Sequence, residues 1–341
     1  MQCFEAVKHM DETLWGNTAG EPLVSVAVIT YNNAPYIGHA IESILMQRTD
    51  FPIEIIIGED CSTDGTRELV AWYARKYSDR IRVLLHPHNL GMNGNACAVR
   101  AVCSGKYMAM LDGDNYWLDP LKLQKQVDVL ERHPEYVGAA HKVRVVDRND
   151  QLSSAVYYAN HCQKERFTLA DAEAGVLPGQ MGSWLFRNIF RKFTPEQARL
   201  YQACNSVGDA KLALILSLFG DFYCDSSVMS AHRLVIDETS FSSRSYTKNL
   251  SLEYLDWAAS RERLALEAFG RTVNLDEIRR DVAYHAFVAV LRAPRTENVA
   301  IFRQVMRRQP SKGKAWAHIM RRMTGIAARR KARQAAGNSA R

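Results

Sequence analysis

Apolar residues come in short runs at two spacings along the first half of the chain. Leu23 to Thr30 is nearly continuous and mostly β-branched, the pattern of a strand buried on both faces. From Ala34 to Gln47 the period changes, and Ile37, Ile41, Ile44 and Leu45 recur at helical spacing. The alternation then repeats. Strands are predicted at 53–58, 80–86 and 106–111, and helices at 64–77, 94–103 and 120–132. Thr63 or Asp64 suits the N-cap of the second helix. Pro120 suits a first helical turn, where its missing donor would go unpaired anyway. Strands alternating with helices at this pitch predict a Rossmann-like α/β layer: a mostly parallel sheet with helices on both faces.

The second half is less regular. It predicts strands at 136–146, 183–186 and 222–232, a helix at 209–219, and loop over 148–180. Beyond Asn249 the period is helical, with helices near 250–269, 274–292, 296–308 and 313–335. The expected domains are an N-terminal extension (1–21), an α/β domain (22–240), and a C-terminal helical region with a basic tail (250–341).

Charge alters this picture only at the tail. The whole chain carries +7, yet Phe302 to Arg341 holds twelve Lys and Arg and no acid, which leaves −5 on the rest. A basic, partly apolar helix around Trp316 and Met320 suits peripheral contact with an anionic membrane surface; a solvated end competes with that reading. Nucleic acid is disfavoured, since there is no binding motif and no interleaved aromatics. No apolar run reaches the roughly 20 residues of a spanning helix, and the first ten residues lack a signal-peptide layout. The expected location is the cytoplasm, at the inner face of the membrane. Seven scattered cysteines without CxxC spacing point to reduced thiols rather than disulfides or zinc.

In doubly wound sheets ligands bind beyond the carboxyl ends of the strands. Here those ends are Thr30-Tyr31-Asn32-Asn33, Glu59-Asp60-Cys61-Ser62 and Asp112-Gly113-Asp114-Asn115, all polar and all expected along one edge. Two carboxylates flanking a glycine suit a hard divalent cation, Mn²⁺ or Mg²⁺, which would neutralise a diphosphate. Asp60 can accept a hydrogen bond from a base or a ribose. Trp184 offers an aromatic face to an acceptor sugar, or else belongs to the core. Tyr116 and Trp117 read as packing under the metal loop. Asn95 is expected on a helix surface, with a donor contact as the other reading.

These segments resemble glycosyltransferase family 2: Thr30-Tyr31-Asn32, Glu59-Asp60-x-Ser62-x-Asp64-Gly65-Thr66, Asn89-x-Gly91, Gly105-Lys106-Tyr107 and Leu111-Asp112-Gly113-Asp114-x-Tyr116-Trp117, over about residues 22 to 235. The resemblance implies a GT-A fold and an inverting transferase. It would use a nucleotide-diphosphate sugar, UDP above other carriers, and a glycan or lipid-linked acceptor in cell-surface polysaccharide synthesis. By position it implies that Thr30, Tyr31 and Asn32 line the nucleotide pocket and that Asp60 contacts the base. Asp112 would meet the ribose or metal, Asp114 would ligate the metal, and Asp209 in Gly208-Asp209-Ala210-Lys211-Leu212 would be the catalytic base. Asn115 stands where the family usually has a second acid. In Ala231-His232-Arg233-Leu234-Val235 the family's histidine position is Val235, so His232 is either a substitute metal ligand or a core histidine. Two other classes compete. A nucleotidyltransferase would need a Gly-rich basic loop after the first strand, which 30–35 lacks; a non-catalytic sugar-binding protein would not need the four acids together.

Overall fold

A computed structural model describes residues 21–153, 163–234 and 249–338, with side chains to Gly325 in the last helix. The expected N-terminal extension (apart from Glu21), Val235 and the basic side chains after Gly325 lie outside the described residues. The described chain divides into two compact units, one of residues up to 172 with 176–203 and 208–234, the other of 173–175, 204–207 and the residues from 249 onward.

The first unit contains β1 (Val24–Thr30), α1 (Ile37–Leu45), β2 (Ile53–Glu59), α2 (Thr66–Lys76), β3 (Ile81–Leu85), α3 (Gly91–Val102), β4 (Tyr107–Asp112), β5 (Tyr116–Trp117), α4 (Lys122–Arg132) and β6 (Tyr136–Val146). After these come β7 (Arg166–Phe167), α5 (Leu169–Glu173, which ends at the unit boundary), β8 (Leu185–Arg187), α6 (Pro195–Ala203), α7 (Gly208–Ser217) and β9 (Asp221–Arg233). The nine described strands form one sheet in the order β3-β2-β1-β4-β8-β6-β9-β5, and β7 also pairs with β9. The four leading strands are parallel, β8 lies antiparallel between β4 and β6, and β6 and β9 are parallel.

The parallel strands are apolar throughout because both faces are covered. Val24, Val26 and Val28 of β1 join Tyr107, Ala109 and Leu111 of β4 in a core with Ile37, Ile41 and Ile44 of α1 and Leu123, Val127 and Leu130 of α4. On the other face α3 packs so closely on β2 that a Cβ at Gly58 would fall 1.9 Å from Asn95 Oδ1. Several expectations shift. Helix α4 starts at Lys122, after Pro120, with Asp119 Oδ1 accepting the Leu121 N–H at 2.8 Å. Helix α5 falls inside the span read as loop, because five residues are too few to display a period.

The second unit contains α8 (Ser251–Phe269), α9 (Asp276–Arg292), α10 (Thr296–Arg307) and α11 (Lys312–Asn338). Leu255, Ala283, Ala286, Val305, Ala315 and Ile319 are among its core residues. Gly270, at φ +63, caps α8 in the left-handed conformation that favours glycine. No described helix is long and apolar enough to cross a membrane.

Candidate active site

The strand ends meet as the alternation predicts. In the sheet register Thr30 lies beside Glu59, and Ile29 beside Asp112. The loop after β1 is laced to the loop after β2. Asn32, at φ +51, donates its N–H to Ser62 Oγ at 2.9 Å and accepts the Thr63 N–H on Oδ1 at 2.9 Å. Asn33 N–H donates to Thr66 Oγ1, and Ala34 N–H to Asp64 Oδ2. Burial pushes the Asp64 carboxyl up, but the hydrogen bonds from Thr66 and Ala34 outweigh it and hold the group below its usual range. Asp64 also receives the Thr66 N–H at the start of α2, so it caps from two residues upstream.

Tyr31 is 47% exposed at the mouth of this edge. Thr30 is buried, and its side chain packs under Gly113. Asp60 is 2% exposed. Its Oδ1 accepts the Leu90 N–H at 2.7 Å and its carbonyl accepts from Asn89 Nδ2, so Asn89-x-Gly91 serves first to seat Asp60. Asn95 departs from the surface reading. It is buried, donates to the Gly58 carbonyl, and pairs its Oδ1 with the His86 ring.

The Asp112–Asn115 loop is built on close approach. A Cβ on Gly113 would lie 2.6 Å from Thr30 Oγ1 and 2.8 Å from Thr30 Cβ, so only glycine lets β4 turn against the end of β1. Asn115 is buried between two partners: Nδ2 donates to Asp112 Oδ2 at 3.2 Å, and Oδ1 accepts the Arg233 N–H at 2.8 Å. An ionised aspartate could not donate to Asp112 and would repel it, so the geometry suits an amide at 115.

Burial, then the charge of Asp209, pushes the Asp112 carboxyl up to about 6 against a hydrogen bond from Asn115. Burial, then the charge of Asp112, pushes Asp114 up to about 7. Asp209 is thus brought within electrostatic reach of Asp112 from almost a hundred residues along the chain. It stands in the first turn of α7, where the helix dipole favours a negative charge, and its Oδ1 accepts the Ala210 N–H at 2.6 Å. Asp209 thus raises the proton affinity of Asp112, and Asp112 that of Asp114.

The two loop carboxylates fit a hard cation, which is commonly bound by one or two carboxylates with substrate phosphates and water completing the shell. Among the described residues, however, no three His, Cys, Asp or Glu side chains are gathered as a metal site, so the expected set of Asp112, Asp114 and His232 is not assembled. His232 lies on β9 beside Val145, and burial pulls its imidazole down to about 4, the behaviour of a neutral histidine inside the fold. Trp184 is fully buried and packs edge-on against Phe222. It offers no face to a sugar, and of its two readings the core one holds. Trp117 is buried beside the 112–115 loop, with Nε1 donating to the Gly182 carbonyl at 2.9 Å.

One residue escapes the sequence reading. Arg233 is buried, with its guanidinium directed at the Asp114 carbonyl and at Asp150. The sequence signal was its place in the 231–235 motif, beside the histidine that drew attention.

The family model described as "Glycosyl transferase family 2" matches residues 25–193. An uncharacterized protein of Mycobacterium tuberculosis is 43% identical over 123 residues, 36% of each chain. An uncharacterized glycosyltransferase of Nostoc sp. is 36% identical over 128 residues, 38% of each chain. The chain thus spans well under half the length of these curated relatives. Among solved structures, Staphylococcus aureus TarS 1–349 in complex with UDP-GlcNAc shares the fold at a TM-score of 0.57 and 17% identity, covering 83% of this chain and 79% of that one.

Proposed function

The chain belongs to glycosyltransferase family 2 and has the GT-A fold, and on that premise we propose that it moves a sugar from a nucleotide-diphosphate carrier to a hydroxyl of a glycan or lipid-linked acceptor, with inversion. The observation that carries this reading is the approach of Asp209 to Asp112, with Asp114 two residues on in the same loop, at the carboxyl edge of the sheet. UDP is the favoured carrier, since the structure that shares the fold was solved with UDP-GlcNAc.

In this reading Asp209 takes the proton of the acceptor hydroxyl while that oxygen attacks the anomeric carbon. The bond from that carbon to the diphosphate oxygen breaks, and the electron pair leaves with the diphosphate. A single displacement inverts the anomeric centre. Asp112 and Asp114 would hold Mn²⁺ or Mg²⁺, which supplies neutralising charge for the departing diphosphate. Tyr31 and Asn32 border the nucleotide, and Asp60 stiffens that border. The basic tail supplies contact with an anionic membrane surface, supported by Trp316 and Met320, which are 42% and 57% exposed on α11. Salt-sensitive sedimentation with phosphatidylglycerol vesicles checks that part, and no sedimentation refutes it.

The decisive experiment is a thermal-shift screen of UDP, GDP and dTDP with and without Mn²⁺. Stabilisation by one nucleotide only when Mn²⁺ is present names the donor class. No response to any of them sinks the proposal.

A further inference from the structure

Arg233 is a buried cation that the transfer chemistry does not use. Its side chain is 2% exposed. Nε donates to the Asp114 carbonyl at 3.1 Å, Nη1 to the carbonyls of Asp147 and Arg148 at 3.1 and 3.3 Å, and Nη2 to Asp150 Oδ1 at 2.8 Å. Its backbone N–H meets the Asn115 side chain. The guanidinium also lies 4.3 Å from the ring centre of Tyr36 and 5.6 Å from that of Tyr116. Of its five N–H donors four are committed, its charge is met by Asp150, and its two nearest rings enclose it. It cannot turn outward to a diphosphate.

The loop it holds has anchors on either side of Asp114. Gly113 N–H reaches the Ile29 carbonyl and Asn115 N–H the Asp112 carbonyl, but the Asp114 carbonyl is bound by Arg233. Only the Arg233 side of this ion pair is buried, the Asp150 side chain being 46% exposed, so the pair adds little stability and its use here is to fix one geometry. Asp150 sits at φ +62, a left-handed turn position, and its carboxylate is hydrogen-bonded to Tyr116 as well as to Arg233.

We propose that Arg233 and Asp150 form a positioning latch: Arg233 ties the Asp114 carbonyl and the Asn115 side chain to the 147–150 turn, and so fixes where the Asp112 and Asp114 carboxylates stand. The functional meaning of the latch rests on reading this loop as the donor site. Arg233 is a positioning residue and touches no substrate.

The test uses the full chain with Asp150→Asn, Arg233→Lys and Arg233→Gln. Three quantities are read: Tm, hydrogen exchange of the peptide covering 112–117, and affinity for UDP with Mn²⁺. Asp150→Asn should keep its Tm, speed exchange over 112–117 while leaving the β1–β3 peptides unchanged, and weaken UDP–Mn²⁺ binding about 10-fold. Arg233→Gln should weaken it towards 100-fold, the upper range for residues that orient a metal site, with Arg233→Lys between the two. Unchanged loop exchange in both Asp150→Asn and Arg233→Lys overturns the latch, as does a loss that only follows a general fall in Tm. If the wild-type chain binds no UDP while loop exchange responds as stated, the latch stands and the donor reading fails.

Discussion

Gly113 meets Thr30 so closely that one methyl group on Gly113 would stand 2.6 Å from the threonine hydroxyl. The contact joins the loop of two acids to the end of β1 and sets the depth at which the acids sit. Gly113→Ala must push the loop outward. Overpacking of this kind costs about 1–3 kcal/mol. The expected outcome is a folded protein with a lower Tm and nucleotide–Mn²⁺ affinity reduced by at least about 10-fold. Calorimetric titration beside a thermal melt checks it, and unchanged affinity would show that the contact does not set the site.

Asp209→Asn removes the proposed base without changing shape. Transfer should fall about 10²–10⁴-fold, the range of a general base. Nucleotide binding with Mn²⁺ should remain, because the donor-loop acids are untouched. Transfer that survives the substitution places the base elsewhere.

The raised carboxyls of Asp112 and Asp114, at about 6 and about 7, carry a pH consequence. The folded state holds these protons more tightly than the unfolded chain, where carboxyls titrate near 4. Their contribution to stability is therefore full below pH 4 and is lost as pH rises through about 6 to 7. Without metal, the charge repulsion at pH 8 should be relieved in Asp114→Asn, raising Tm by about 2–4 °C, the shift that about 1 kcal/mol produces in a domain of this size. The gain should vanish near pH 4. A metal-free Asp114→Asn chain that melts with the wild type at pH 8 contradicts the electrostatic picture.

Trp184 tests core against acceptor platform. Trp184→Ala should destabilise by about 3–5 kcal/mol, the cost of a large aromatic cavity, whereas Trp184→Phe should leave the acceptor KM unchanged. A selective rise in acceptor KM for the phenylalanine variant at unaltered Tm would return the residue to the site.

The order of elements was legible because burial on both faces writes continuous apolar runs, and one-sided helices write a 3.6-residue period; β1 to β4 and helices α1 to α4 all stand within a few residues of that reading. The polar strand ends, and hence the edge that carries the site, followed from the same alternation. Tertiary structure alone decided which polar residues are taken up inside the fold. Thr30, Asp60 and Asn95 have their polar groups taken up by backbone and neighbouring loops, and Trp184 turned into the core. No local pattern records such pairings, since each partner lies 29 or more residues away for Asp60 and Asn95 to Gly58, and a side chain's direction depends on the strand beside it. The same holds for Arg233, whose partners come from 114, 147, 148 and 150, and for the approach of Asp209 to Asp112. A chain can state which residues are acids; only the fold brings their charges close enough to act on one another.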